Sequence, residues 1–419
     1  MSNDMSSGTL PEGWQFQELR TLVDVLDSRR QPVNSKERAD RAGSVPYYGA
    51  AGQVGTIDKA IFNEPLILLG EDGVQFFDQD KHKAYEISGP AWVNNHAHVL
   101  RCHHDQFVQR LLVHYLNQFD YRNRANGTTR LKLTQAAMND IPVLVPPLDE
   151  QEKIVEILEE QLSRLDAALE AVRAVRVKAA QFRRSLLHAA FTGALTGHDT
   201  SVGTLPDDWV QMKLNEALEV LIDHRGKTAE KLGGKFVDSG VRVVSAIHVK
   251  DGKLRFEERD RFVTDEIFQK WMPVKTKEGD VILTSEAPLG MVTVVPSDEP
   301  LVLSQRLFCL RGKRTLLSNP YLRHFLESPD GQEQLTRRSS GTTVSGIRQS
   351  ELRQLAIPLP PPSEQEKIVE ILEEQLSRLD ASLAVANTVE KRAAALRRSL
   401  LHAAFTGNLT KQWRENAHV

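Results

Sequence analysis

Hydrophobic residues return at steps of three and four along two stretches of this chain. In the first they are Ile154, Leu158, Leu162, Leu165, Leu169, Val172, Val175, Ala179, Phe182 and Leu186. In the second they are Ile368, Leu372, Leu376, Leu379, Leu383, Ala386, Val389, Ala393, Leu396 and Leu400. Such spacing lays one apolar stripe along a helix. It predicts two helices of about 40 residues, roughly 60 Å each at 1.5 Å per residue. Successive threes near Val172 interrupt a strict heptad and predict local drift of the seam. Pro146-Pro147 and Pro360-Pro361-Pro362 end whatever precedes them and are not expected inside a helix. Asp149 and Ser363 are the expected N-caps, and Gly193 and Gly407 the expected C-terminal stops. Elsewhere short apolar runs are punctuated by glycine: 66–69, 74–77 and 92–100 in one half, and 241–249, 281–284, 292–295 and 301–310 in the other. These read as strands, followed by short helices over 105–118 and 320–326. The fold class is therefore α+β.

The two helical stretches are copies. Residues 150–167 and 364–381 are the same 18 residues, EQEKIVEILEEQLSRLDA, at an offset of 214. At that offset RRSLLHAAFTG (183–193) recurs at 397–407, and Gly127-Thr128-Thr129 recurs as Gly341-Thr342-Thr343. A looser echo opens each half, Leu10-Pro11-x-x-Trp14 and Leu205-Pro206-x-x-Trp209, at an offset of 195. Near-identical ends thus bracket two middles that differ in length. A period of about 200 residues is too long for a solenoid unit, so this is a duplication of domains. The expected division is 1–148 as a first variable domain, 149–197 as a first helical spacer, 198–362 as a second domain and 363–419 as a second spacer.

A long helix with a single apolar stripe needs a partner. Three arrangements satisfy it: packing on its own domain, a coiled coil with another molecule, or pairing of the two copies within the chain. The connecting domain is large enough to return the chain, so an antiparallel intramolecular pair is the expected one.

Composition adds limits. The formal net charge of −3 neither favours nor excludes nucleic acid; only its distribution can. Residues 150–166 carry six acids against Lys153 and Arg164, while 121–132 carry Arg122, Arg124, Arg130 and Lys132 with no acid. Basic clusters also occupy 29–41 and 225–242, and Arg337, Arg338 and Arg348 flank the second Gly-Thr-Thr. The variable middles are thus basic where the repeated helices lean acidic, and cations beside Gly, Ser and Thr suit phosphate contacts. Cys102 and Cys309 are the only cysteines, which excludes a disulfide framework and a four-thiolate zinc site and suits a reducing cytoplasm. No apolar run approaches the ~20 residues of a membrane span, and no signal peptide opens the chain.

Enzyme motifs are missing. Gly226-Lys227-Thr228 resembles the tail of a phosphate loop, but Leu221 stands where its first glycine is required. There is no Gly-x-Gly-x-x-Gly after a strand, no Asn-Pro-Pro-Tyr motif and no Gly-x-Ser-x-Gly elbow. His96, His98, Cys102, His103 and His104 cluster in sequence but read better as strand and loop residues than as a zinc site.

The whole pattern resembles the specificity subunits of type I restriction–modification systems. The resemblance is carried by the two Leu-Pro-x-x-Trp openings, by Pro46-Tyr47-Tyr48-Gly49-Ala50 and by Gly70-Glu71-Asp72-Gly73. It is carried too by Trp92-Val93-Asn94-Asn95-His96-Ala97-His98-Val99, Gly279-Asp280-Val281-Ile282-Leu283, Leu303-Ser304-Gln305-Arg306 and Ser340-Gly341-Thr342-Thr343. The two Glu-Gln-x-Lys-Ile-Val helices with Phe-Thr-Gly ends carry it most strongly. It implies a non-catalytic, cytoplasmic chain with two target-recognition domains, each reading one half of a split double-stranded DNA site. Unequal domain lengths then imply an asymmetric target, and helices of this length would hold two readers more than one duplex turn apart. The helices would dock two methyltransferase subunits, and motor–nuclease subunits would join them. S-adenosylmethionine and ATP are expected on those partners, with no cofactor or metal on this chain.

Expected DNA contacts in the first domain are Arg29, Arg30, Lys36, Tyr47, Tyr48, Lys59, Asn94, His96, Arg122, Arg124 and Arg130. In the second they are Arg225, Lys227, Lys235, Arg242, Ser285, Arg306, Arg338, Thr342 and Arg348. The expected helical seam is Ile154, Leu158, Leu162, Leu165 and Leu169 with Ile368, Leu372, Leu376, Leu379 and Leu383. Plainer roles compete. Tyr47 and Tyr48 could pack in a core, Asn94, His96 or His98 could bond within the domain, Arg306 could sit in an ion pair, and the Gly-Thr-Thr segments could cap the helices after them. A pure scaffold, with middles that bind protein, is the alternative function; the basic clusters in both middles favour DNA.

Overall fold

A computed structural model describes residues 10–201, 203–257, 260–341 and 345–417. The two predicted helices span Leu148–Thr192 and Pro362–Phe405. Pro362 opens the second helix instead of stopping short of it, because the first helical turn needs no N–H from that residue. Asp149 and Ser363 accordingly lie inside the first turn and are not the caps; the Asp149 carboxylate accepts the Glu150 N–H at 2.9 Å.

The chain divides into two compact units, residues 1–172 with 388–419 and residues 173–387. Each unit holds one α+β domain, the start of the helix that follows that domain and the end of the other helix. In the first unit Ile154, Leu158 and Leu162 pack with Leu401, Ala404 and Phe405. In the second, Ile368, Leu372 and Leu376 pack with Leu186, Leu187, Ala190 and Phe191. The helices run antiparallel. Within the second unit Arg176 bonds Asn387 at 2.6 Å and Arg183 pairs with Asp380, so one number rises by seven as the other falls by seven. In the first unit Arg397 pairs with Asp166. Asp380 and Arg397 are the copies of Asp166 and Arg183, so one Asp–Arg pair is formed twice. Leu165, Leu169, Leu379 and Leu383 are half-buried. The seam drifts further along, and Val175, Phe182, Val389 and Leu396, expected on it, are exposed instead.

The polar residues of the repeated motif are structural. Gln151 donates to the Pro146 and Gln106 carbonyls (2.8 and 3.1 Å) and accepts from the Val108 N–H at 2.8 Å. Gln365 repeats this with Pro360, Leu316 and Ser318. Glu150 accepts from Trp14 Nε1 at 2.8 Å and from the Thr410 hydroxyl at 2.5 Å, and pairs with Arg414. Glu364 accepts from Trp209 Nε1 (3.1 Å) and Thr196 (2.6 Å), and pairs with His198 at 2.8 Å. Gly193 (φ 89°) and Gly407 (φ 74°) end their helices in the left-handed conformation. A side chain at Gly193 would meet Pro206 at 2.6 Å, and one at Gly407 would meet Pro11. The Leu-Pro-x-x-Trp opening is therefore the piece that locks a domain's first strand onto a helix end and a helix start.

The middles share a topology that their sequences hide. In the first, strands Val23–Val25, Ala97–Cys102, Leu66–Gly70 and Ala84–Ile87 form an antiparallel sheet in that order. A second sheet pairs Val45–Gly49 in parallel with Pro90–Val93. In the second, Leu218–Asp223, Leu307–Gly312, Val281–Thr284 and Val292–Val294 repeat the first sheet, and Val241–Val244 runs parallel to Leu301–Leu303. Leu66–Gly70 and Val281–Thr284 are wholly buried hub strands. The expected strands 92–100 and 301–310 are each broken by a turn, at residues 94–96 and 304–306. The expected strand at 74–77 is loop, and 241–249 ends as a strand at Val244.

Candidate nucleic-acid interface

In each domain three segments meet beyond the C-terminal end of the hub strand. In the first domain the Glu71 N–H donates to the His96 carbonyl, and the Leu133 N–H to the Glu71 carbonyl, both at 2.8 Å. In the second the Ser285 N–H donates to the Arg306 carbonyl, and the Ile347 N–H to the Ser285 carbonyl, both at 2.9 Å. The turn before the second strand and the segment after Gly-Thr-Thr are thereby fixed to the strand end, making an equivalent tip on each domain.

The first tip is dense in charge. Asp72 pairs with His96 Nδ1 at 2.9 Å and with Arg130 at 2.6 Å. Glu71 pairs with Arg30 at 2.7 Å and Lys132 at 2.9 Å. Burial pushes the Glu71 carboxyl up, yet the bonds from Lys132 and Arg30 outweigh it and hold the group below its usual range. Asn94 Oδ1 accepts the His96 N–H at 2.8 Å and shapes the turn. At the second tip Arg306 pairs with Glu286 through Nε at 3.1 Å. Arg225 pairs with Asp223 at 2.6 Å, donates to the Ile347 carbonyl at 3.0 Å and lies over the Phe308 ring. A cleft of about 1070 Å³ lined by Gly73, Phe77, Arg122 and Arg130 borders the first tip, and one of about 810 Å³ lined by Lys227, Trp271, Gln305 and Arg306 borders the second.

The fold thus gathers Arg30, Asn94, His96 and Arg130 at one tip, and Arg225, Ser285, Arg306 and Arg348 at the other. Several of these are spent internally. Arg30 is largely buried, donating to the Ala97 carbonyl at 2.8 Å as well as pairing with Glu71, so it braces the tip. Ser285 is buried and offers a base nothing. Tyr47 is a core residue: it is buried, its hydroxyl donates to the Val33 carbonyl at 3.1 Å, and Arg38 covers its ring. Tyr48 is half-buried against Tyr85. Arg29 reaches Glu64 and the Phe62 ring at the opposite end of the hub strand. Arg122 chelates Asp120, and Arg242 pairs with Asp260 between Phe256 and Phe262. Lys227 donates to the Trp271 carbonyl at 2.9 Å, and Arg338 pairs with Glu351 at 3.5 Å. Lys36, Lys59, Lys235 and Arg348 are exposed, and Arg124 is half-buried. Thr342 lies outside the described residues.

His98 is buried between Asp27 (2.6 Å) and the Leu133 carbonyl (2.9 Å), the structural role open to it in sequence. Asp27, Glu71 and His98 lie close enough to hold a cation, but the Arg30 guanidinium bridges the two carboxylates. Cys102 donates to the Phe107 carbonyl and His103 pairs with Asp24, so the sequence cluster of histidines and cysteine does not converge. The first Gly-Thr-Thr segment is not the cap of the helix after it, since Thr134 caps Gln135–Asn139; Thr342 and Thr343 of the second lie outside the described residues. Sequence reasoning overlooked Asp72 and Glu286 as tip residues; their signal was the acid that follows a buried hydrophobic run in both halves.

The fold and these tips define a duplicated α+β protein that presents a charged tip from each copy. The family model of the type I restriction modification DNA specificity domain matches residues 11–174 and again 206–390, and the chain belongs to that family, as a type I restriction–modification specificity subunit. It is 24% identical over 357 residues to the type I restriction enzyme EcoBI specificity subunit of Escherichia coli, covering 82% of this chain and 75% of that one. It is 25% identical over 371 residues to the putative specificity subunit S.HindORF215P of Haemophilus influenzae, covering 86% of each. Its fold matches a chain from a structural study of complex assembly and conformational transition of the type I restriction–modification system. The TM-score is 0.65 at 18% identity, over 96% of this chain and 100% of that chain. Among the described residues no helix is long and apolar enough to cross a membrane.

Proposed function

We propose that this subunit reads an asymmetric, two-part double-stranded DNA site, one part per domain, without catalysing a reaction itself. The observation that carries the reading is the recurrence of one charged tip at the same hub-strand end in both halves of a family-matched chain. His96 and Arg130 at the first tip, and Arg306 and Arg348 at the second, are the side chains best placed for bases and phosphates. Domains of unlike sequence on a common frame suit two different DNA words. The long helices dock methyltransferase subunits, which bring S-adenosylmethionine, and motor–nuclease subunits with ATP complete the cytoplasmic complex. Phe182 and its copy Leu396, 46% and 49% exposed on helices otherwise rich in charge, are the docking anchors.

The test is the methylome of a host expressing this chain with its methyltransferase. A bipartite, asymmetric methylated motif is expected, and replacing residues 205–345 by another domain is expected to change one half of it. Absence of any bipartite motif, or change in both halves, refutes the proposal.

A further inference from the structure

Both tips carry an acid where a surface that meets phosphates gains nothing from one. Asp72 and Glu286 occupy the same place, two residues beyond the hub strands Leu66–Gly70 and Val281–Thr284. Each follows the residue bonded to the turn carbonyl, and each precedes a left-handed residue, Gly73 at φ 74° and Ala287 at φ 51°. Each forms a bridge with the segment after Gly-Thr-Thr, Asp72 with Lys132 and Glu286 with Gly346. Each grips the basic side chain of the facing turn, His96 at 2.9 Å and Arg306 at 3.1 Å. The acid and the base differ in identity between the domains, while their places are the same. Arg306 itself holds φ 69°, a left-handed conformation that L residues avoid and that persists where surroundings impose it.

A free arginine at a DNA face pairs with any phosphate, which adds affinity without sequence preference. One tethered to a carboxylate keeps a fixed direction, and guanine O6 and N7 reward that direction where a phosphate does not. The carboxylate's remaining lone pairs can accept from cytosine N4 or adenine N6, and they repel a backbone that offers no such donor. An acid in this position therefore weakens binding to every duplex and weakens it least for the matching one.

Building on the DNA-reading role proposed above, we infer that Asp72 and Glu286 are positioning residues that set specificity. Each aims a guanidinium of its tip, Arg130 beside Asp72 at 2.6 Å and Arg306 beside Glu286 at 3.1 Å, at a base edge and withholds it from phosphates.

The experiment uses the full chain in complex with its methyltransferase. The probes are a duplex carrying the methylome-derived motif and two versions with one half scrambled. In D72N discrimination of the first domain's half-site should fall about tenfold, within the range of one lost base contact, while the other half-site is read as before. E286Q should do the reverse. Each released cation should also steepen the log–log salt dependence of binding to a fully scrambled duplex by about 0.9. A lesion that merely loosens the fold weakens binding to every probe without steepening that slope. E64Q is the control: Glu64 pairs with Arg29 and Arg101 at the start of the same hub strand, about 20 Å from its other end, and should change neither quantity. If D72N does not fold, D72E moves the charge by one methylene and should show the same loss in the first half-site. Unchanged discrimination in the Asp72 and Glu286 variants, or an equal effect of E64Q, overturns the inference. Failure of the unmodified complex to discriminate at all overturns instead the DNA-reading role on which it rests.

Discussion

Replacing Glu150 by alanine should loosen the first unit more than the same change at its copy Glu364 loosens the second. Glu150 is 1% exposed and serves three donors: the Trp14 indole, the Thr410 hydroxyl and the Arg414 guanidinium. Its removal strands a half-buried guanidinium and two neutral donors. Loss of one partner from a buried charged pair costs about 3–5 kcal/mol. Glu364 serves Trp209, Thr196 and His198, but its side chain is 13% exposed and that of His198 32% exposed, so water can replace part of what is lost. There the cost should be about 2 kcal/mol, that of stranding hydrogen bonds to a charged group. A gap near 2 kcal/mol corresponds to roughly a thirtyfold difference in local opening. Amide hydrogen exchange read by mass spectrometry supplies the assay. Peptides over residues 11–22 and 145–158 report the first unit, and those over 206–217 and 360–372 the second. Equal acceleration in the two variants, or greater acceleration in E364A, refutes the argument that burial of the carboxylate decides the cost.

Further outcomes follow from the same structure. Burial raises the Glu364 pKa, but bonds from Thr196, His198 and Trp209 outweigh it and hold it below the usual range. Its contribution is therefore complete above the ordinary glutamate value of about 4.3 and is lost as pH falls through the lower folded value. The melting-temperature gap between the unmodified chain and E364Q should accordingly close on acidification below pH 4.3; a gap that widens there contradicts the sign. Gly193→Ala should cost more than Gly197→Ala. Both residues are left-handed, at φ 89° and 91°, which alone costs about 1–2 kcal/mol, but only at Gly193 does the new methyl strike Pro206. Urea denaturation of the two variants tests the order. Burial pushes the Cys102 thiol up to about 12, so iodoacetamide at pH 8 should leave it unmodified in the folded chain and label it in urea, as mass spectrometry can read. Finally, F182D with L396D should abolish co-purification of the methyltransferase while shifting the chain's own stability by only about 0.5 kcal/mol.

The long helices were legible because their period and their copying are properties of contiguous sequence. What escaped was where the stripe stops being covered: Val175 and Phe182 keep the right spacing yet lie on a face that has drifted outward. The runs at 66–69, 281–284 and 292–295 were legible as strands, whereas 92–100 and 301–310 each hide the turn that forms a tip. The shared topology of the middles escaped because it consists of pairings, such as Gly70 with Ala97 and Thr284 with Leu307, and pairings leave no trace in side-chain identity. The same reason explains the misread site residues. Whether Arg30, Tyr47 or Ser285 faces outward depends on partners 14 to 67 positions away in the case of Val33 and Ala97, or on a sheet not visible from local composition. Charge clustering pointed to the right domains without separating cations that brace a tip from cations that can reach a ligand.

The packing of Pro11 against Gly407 has a topological meaning. It brings the beginning of the first domain to the end of the second helix, just as Pro206 meets Gly193 in the middle of the chain. The same junction is thus made once with the opening that follows the helix in sequence and once with the opening that stands 396 residues before it. Such a junction is indifferent to chain order: it requires only that a Leu-Pro-x-x-Trp opening reach a Phe-Thr-Gly helix end, from either direction along the sequence.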